Sequence, residues 1–294
     1  PITLAPQLLD GVDQPGGPPQ GGPLPTYVDK RQVEPFTAVW TLGSLKYLAD
    51  AGVVDSEPAL FEASTPRLSR LTRRQYAATV RDLFGQEINV PSNLEPDSEQ
   101  HGLYAVGATV ASVSPLGVER YGDAAKSIID QLLESEEGRA KLVTCDPTDV
   151  ADAACLTEIV TAWGARIWRR PLETSEIDTF VALGVSSATT LDSFDEGVRY
   201  ALMGLLQSPH FLYRVERSTE VGADGLVTRD GWEIATRLSY TLWNTMPPDD
   251  LLEAAEAGEL ETVEDVLQRA ETMLEDPRTV DMVTDFHSQF MHTN

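Results

Sequence analysis

In residues 69–85, SRLTRRQYAATVRDLFG, Tyr76, Val80, Leu83 and Phe84 fall at i, i+4, i+7 and i+8. That spacing gathers them on one side of an α-helix. Thr72 followed three residues later by Gln75 predicts a capping box, Leu71 stands where it can staple onto Tyr76, and Gly85 supplies a left-handed stop. The same grammar recurs along the chain. Helices are predicted over 33–50, with Pro35 in the first turn and Gly52 at the end, and over 116–136, 153–168 and 175–183. Pro171 ends the 153–168 helix by forcing Arg170 out of the helical region. Val198, Leu202, Leu205 and Leu206 define another helix. Ser208-Pro209 opens PHFLYRVER, Asp230 with Glu233 opens WEIATRLSYTLW, and Pro248 opens DDLLEAAEAG, which Gly258 closes. Thr262 starts VEDVLQRAETML and Asp276-Pro277 starts RTVDMVTDFHSQFMH. A short strand is expected at Ala108–Val113, inside a loop-rich stretch over 86–114. The fold class is therefore mainly α, in multi-helix, bundle-like domains.

A Gly/Pro-rich arm precedes them: residues 1–25 hold 12 glycines and prolines and no Lys or Arg. Residues 1–26 accordingly read as an extended arm or linker. A helical domain with the cysteine loop is expected over 27–190, and a second helical module over 191–294 that continues beyond the chain end. The chain starts at Pro1 with no signal peptide, either because a leader was removed or because the sequence is trimmed, and that start does not argue against export.

The 294 residues suffice for two ordinary domains with a sizeable core. Asp and Glu number 47 against 22 Lys and Arg, a net charge of −25, which repels phosphate backbones and excludes nucleic acid as a partner of the whole surface. No stretch of 18 apolar residues is present, so no transmembrane segment is expected. Only Lys30, Lys46, Lys126 and Lys141 are lysine; the remaining cations are arginine, the better partner for carboxylates in buried pairs. Arg67, Arg70, Arg73, Arg74 and Arg81 form a basic island without an acid between residues 66 and 81. Its structural reading is a set of arginines clamped by carboxylates of other segments. Its functional reading is a docking face for an acidic partner or ligand, with Arg70 and Arg74 as candidate binding residues. Between residues 245 and 285 the imbalance reverses, with 13 acids against Arg269 and Arg278, a run that reads as a solvated face.

His210 falls in the first turn after Pro209, as a pH-sensitive contact, a ligand or a structural residue, and with Arg214 of the same segment completes the candidate binding residues. His287 and His292 are five apart, turned away from each other on a helix by roughly 140°, so they make no metal pair, and His287 reads as an edge-of-core residue. No metal site is expected. No CxxCH, GxGxxG, Walker loop, GxSxG or HExxH occurs, so no cofactor is expected in this segment and catalytic residues stay unassigned. Cys145 and Cys155 flank the short loop TCDPTDVADAAC. They could be a disulfide, two buried thiols or half of a metal site. With no further ligands close by in sequence, the disulfide is the expectation, and with it an oxidising compartment outside the cytoplasm.

Three segments together, RLSRLTRRQYAATVRDLFG at 67–85, ARIWRRPLETSEI at 165–177, and LLQSPHFLYRVE with ATRLSYTLWNTMPPDDLLEAAEAGEL within 205–260, resemble a family of exported multidomain proteins of unknown function from planctomycete- and myxobacterium-type bacteria. Many of its members are fused to a c-type cytochrome module, and the cysteines near 145–155 also look like that family. The resemblance covers roughly residues 65–294 and implies an N-terminal portion of a longer protein. It brings no catalytic residues with it. One departure is Glu173, where the family has a threonine cap, so Thr174 or Ser175 is expected to cap instead. The implied role is an exported, non-catalytic scaffold or interaction module of a larger envelope or extracellular assembly, serving a redox partner such as a c-type cytochrome. Its partners would be a protein, the missing C-terminal domains or further copies of the chain. The alternative is part of an extracellular enzyme acting on polymer or small substrates, with its site completed by missing domains.

Overall fold

Thr72 begins the first helix as its sequence requires. In the computed structural model, which describes residues 68–221 and 227–292, the Thr72 hydroxyl accepts the Gln75 N–H at 3.2 Å and the Gln75 amide oxygen accepts the Thr72 N–H at 3.1 Å. The expected arm over 1–26 and the expected helix over 33–50 lie outside the described residues. Helix α1 runs Arg73–Phe84, with Tyr76, Val80, Leu83 and Phe84 fully buried. It stops at Gly85, whose φ of +131° only glycine adopts readily.

Eleven more helices follow among the described residues: α2 (Tyr104–Gly107), α3 (Pro115–Leu133), α4 (Glu136–Leu142), α5 (Ala153–Trp168), α6 (Thr174–Leu191), α7 (Phe194–Gln207), α8 (Pro209–Leu212), α9 (Gly231–Leu242), α10 (Asp249–Glu256), α11 (Val263–Leu274) and α12 (Arg278–Phe290). The fold is mainly α. Two dipeptide strands, β1 (Ser69–Arg70) and β2 (Tyr213–Arg214), pair antiparallel, with Ser69 opposite Arg214.

The structure departs from the sequence reading in several local elements. The strand expected at Ala108–Val113 does not form; turn bonds from the Thr109 and Val110 N–H groups fold that run back onto α2, and the Arg70 N–H takes the Ala108 carbonyl at 3.0 Å. The helix expected over 116–136 restarts at Ser135, whose hydroxyl caps α4. Helix α6 reaches Leu191, well past residue 183, and ends where Asp192 turns left-handed at φ 51°; its threonines turn their hydroxyls back onto the helix, Thr179 to the Ser175 carbonyl at 2.7 Å and Thr189 to that of Val185 at 2.8 Å. PHFLYRVER is helical only to Leu212, after which Tyr213 and Arg214 are claimed by β1.

The larger core cluster draws on residues from Leu71 to Met246. Helices α6 and α7 form a tight hairpin at a glycine crossing: a Cβ on Gly197 would lie 2.9 Å from the Ala188 Cβ and 2.9 Å from the Gly184 carbonyl oxygen. Tyr76 sits between Tyr121 and Phe211, each 5.5 Å away by ring centroids, and Phe84 stacks on Trp163 at 5.2 Å. A second cluster gathers Ala235, Leu251, Ala255, Leu260 and Met273 with Trp232 and Trp243. Hydrogen bonds tie α1 to α9 and its exit: Thr79 to the Tyr240 hydroxyl at 2.8 Å, and the Gln75 amide to Asn244 at 2.8 Å. Cys145 and Cys155 are disulfide-bonded, with Cα atoms 5.7 Å apart. No described helix is long and apolar enough to cross a membrane.

Candidate functional site

Helix α5 ends where Arg169 turns into the left-handed region, at φ 60°, ψ 28°. Pro171 bars a helical Arg170, but the turn is held by Arg169 itself, which is 2% exposed. Its guanidinium donates to the carbonyls of His210 (2.8 Å), Phe211 (3.3 Å), Tyr213 (3.0 Å) and Ile167 (3.3 Å) and lies 5.6 Å over the Tyr240 ring. A buried cation satisfied by carbonyls and an aromatic face clamps the end of α5 to the α8–β2 segment.

Arg170 points the other way. It forms a bidentate pair with Glu176 at 2.8 and 2.9 Å and lies 5.2 Å over the Trp168 ring. That pairing holds the Glu176 carboxyl down to about 2. The same carboxylate accepts the Glu173 N–H at 2.8 Å, so Glu173 takes the cap position of α6 in place of Thr174 or Ser175.

His210, half-buried in the first turn of α8, packs its imidazole on Trp168 at 4.5 Å between centroids, with Nδ1 3.5 Å from Arg170. Burial, and then the Arg170 charge, lower its pKa below the usual histidine range. A small, partly open pocket of about 30 Å³ lies here, lined by Trp168, Arg170, His210, Arg217, Trp232 and Glu233 among others. On its far wall Glu233 is held by N–H groups: burial pushes its carboxyl up, but the donors from Ser218 and Arg217 outweigh that and leave it below its ordinary value. Arg217 pairs with Glu173 at 2.5 Å.

The candidate binding residues separate in space. His210 lines the pocket. Arg214 lies 5.6 Å over the Tyr240 ring, where burial lowers its pKa, and among the described residues its Nε has no hydrogen-bond partner. Arg70 is 1% exposed and donates to the Pro96 carbonyl at 2.6 Å and to Asp97 at 3.2 Å. Arg74, exposed, pairs with Asp285 at 2.7 Å. Of the basic island, Arg73 also donates its side chain to the Leu94 and Glu95 carbonyls. Sequence reasoning missed Trp168, Arg169, Arg170, Arg217 and Glu233 as a group; the adjacent arginines before Pro171 were the available signal. Among the described residues no three His, Cys, Asp or Glu side chains gather as a set of metal ligands.

Three family models match the chain in succession: PSD3, a protein of unknown function (DUF1587), over residues 69–134; PSD5, a protein of unknown function (DUF1595), over 155–216; and PSD4, a protein of unknown function (DUF1592), over 230–294. The chain carries all three segments. No curated protein and no solved structure matches it. The pocket lies at a junction between matched segments: Trp168, Arg170 and His210 belong to the second, and Asp230, Trp232 and Glu233 to the third.

Proposed function

We propose that this chain is a non-catalytic scaffold or interaction module of an exported assembly, serving a redox partner of the c-type cytochrome kind. The observation that carries the reading is that the cations of the pocket are spent on architecture: Arg169 on carbonyls, Arg170 on Glu176 and Arg217 on Glu173. A joint so wired fixes two segments against each other. The disulfide supports an oxidising, extracytoplasmic compartment, and the cytochrome partner rests on the resemblance of the three segments to exported, cytochrome-fused proteins.

The test is native gel electrophoresis of envelope and secreted fractions from the host, with antibody detection and haem staining. The chain is expected in a band larger than itself that also stains for haem. Migration as a free monomer at native abundance overturns the reading. The enzyme alternative draws on His210, a neutral-leaning imidazole facing a pocket that also holds Asp230 and Glu233. A hydrolytic activity of the purified chain abolished by His210→Ala would favour it.

A further inference from the structure

Helix α12 packs with its polar side inward. Asp285 and Gln289 face the body: Asp285 pairs with Arg74 at 2.7 Å and accepts the Asn244 amide at 3.0 Å, and the Gln289 side chain accepts the Tyr104 N–H at 2.9 Å. The apolar residues face away. Val280 is 66% exposed, Phe286 43%, Phe290 59% and Met291 62%. At 100° per residue these four, with Val283 and His287, span an arc of roughly 140° centred opposite Asp281, Asp285 and Gln289. Phe286 and Phe290 stack at 5.9 Å, making a flat aromatic patch along the helix. Val283 and His287, on the same arc, are half-buried.

We propose that this arc is a docking surface for a partner protein whose contact face has an apolar centre and a rim of lysine or arginine; the proposal rests on the interaction-module reading and names its partner's chemistry. The centre follows from the arc, which carries no acid. The partner's basic rim follows from the charge of this end of the chain. Residues 249–292 hold 13 carboxylates against Arg269 and Arg278, and those two arginines are already paired with Asp250 and Asp276. A second copy of the chain is the poorer occupant. Each copy brings a charge of −25, and like fields oppose association. The four side chains expose roughly 400 Å², about half of what one side of a standard stable interface buries, so the apolar contact alone does not overcome that repulsion. A basic rim turns the same field into attraction.

The probe is a fluorescent amphipathic helical peptide with a leucine face and a lysine face, titrated into the full chain at physiological salt. Its leucine–glutamate counterpart is the control. Saturable one-to-one binding of the lysine peptide is expected, with no binding of the glutamate peptide. The Phe286→Ser/Phe290→Ser double variant should weaken binding by about tenfold or more. Val280→Ser, on the same arc, should weaken it less. Both variants leave the buried face of α12 intact, and an unchanged Tm would establish that. Equal binding to wild type and double variant, or equal binding of both peptides, overturns the proposal. So does sedimentation of the wild-type chain as a dimer that the double variant dissolves. If the peptide test fails while the chain still migrates in a larger native assembly, this surface falls and the module reading stands.

Discussion

The imidazole of His210 lies on the indole of Trp168, 4.5 Å apart between centroids and tilted by 33°, with the Arg170 guanidinium beside both. A protonated ring there meets burial and a fixed cation, so the stack favours neutral histidine. In an NMR titration the His210 midpoint should fall below 6.5. Arg170→Gln should raise it, because one cation leaves and Glu176 is freed. The consequence for stability has a definite sign. A folded pKa below the unfolded one gives a contribution that is complete above about pH 6.5 and is lost as pH falls through the folded midpoint. A midpoint at or above 6.5 in the wild type would remove the argument.

Arg70 should be the most sensitive residue of the basic island. Its guanidinium is enclosed, bonded to the Pro96 carbonyl and Asp97, with no partner for Nε among the described residues. Arg70→Ala is expected to cost about 3–5 kcal/mol in urea unfolding. Arg74→Ala, at an exposed pair, should cost about 1 kcal/mol or less. Similar losses at the two positions would contradict the burial argument.

At the α6–α7 crossing, Gly197→Ala must push Ala188 or the Gly184 backbone aside, and a loss of about 1–3 kcal/mol is expected. Gly122→Ala is the contrast. Its Cβ would meet only the movable Gln207 amide, 3.2 Å away, so the helix should gain up to about 1 kcal/mol. Thermal melts of the two variants should therefore move in opposite directions.

The Cys145–Cys155 bond encloses a short ring. Its reduction is expected to cost about 2.5–3 kcal/mol by loop entropy. Intact mass without reductant should be two hydrogens below the reduced value, and an unchanged mass would show free thiols.

The local devices were legible. The Thr72–Gln75 box, the Ser208, Asp230 and Thr262 caps and the stop at Gly258 all stand where short-range spacing places them. Distant partners were not. Arg169 finds its acceptors some forty residues away, among backbone carbonyls that carry no mark in a sequence. Tyr213 and Arg214 leave their helix for a strand near the other end of the described chain. The pattern of α12 is plainly amphipathic, yet amphipathicity alone sends the apolar side inward and the acidic run into solvent. Arg74 and Asn244 reverse that by drawing Asp285 to the body. His287, expected at the edge of a core, is half-buried, its Nδ1 2.7 Å from the Val283 carbonyl.

The two-residue ribbon of β1 and β2 joins the start of the first matched family segment to the end of the second, and Thr79 and Gln75 fasten the first to the third. Borders drawn by sequence kinship are therefore crossed by the bonds that hold the fold together. A fragment excised at any one of them would forfeit the partner that completes its own backbone or side-chain bonds, so each segment needs the others to hold its shape.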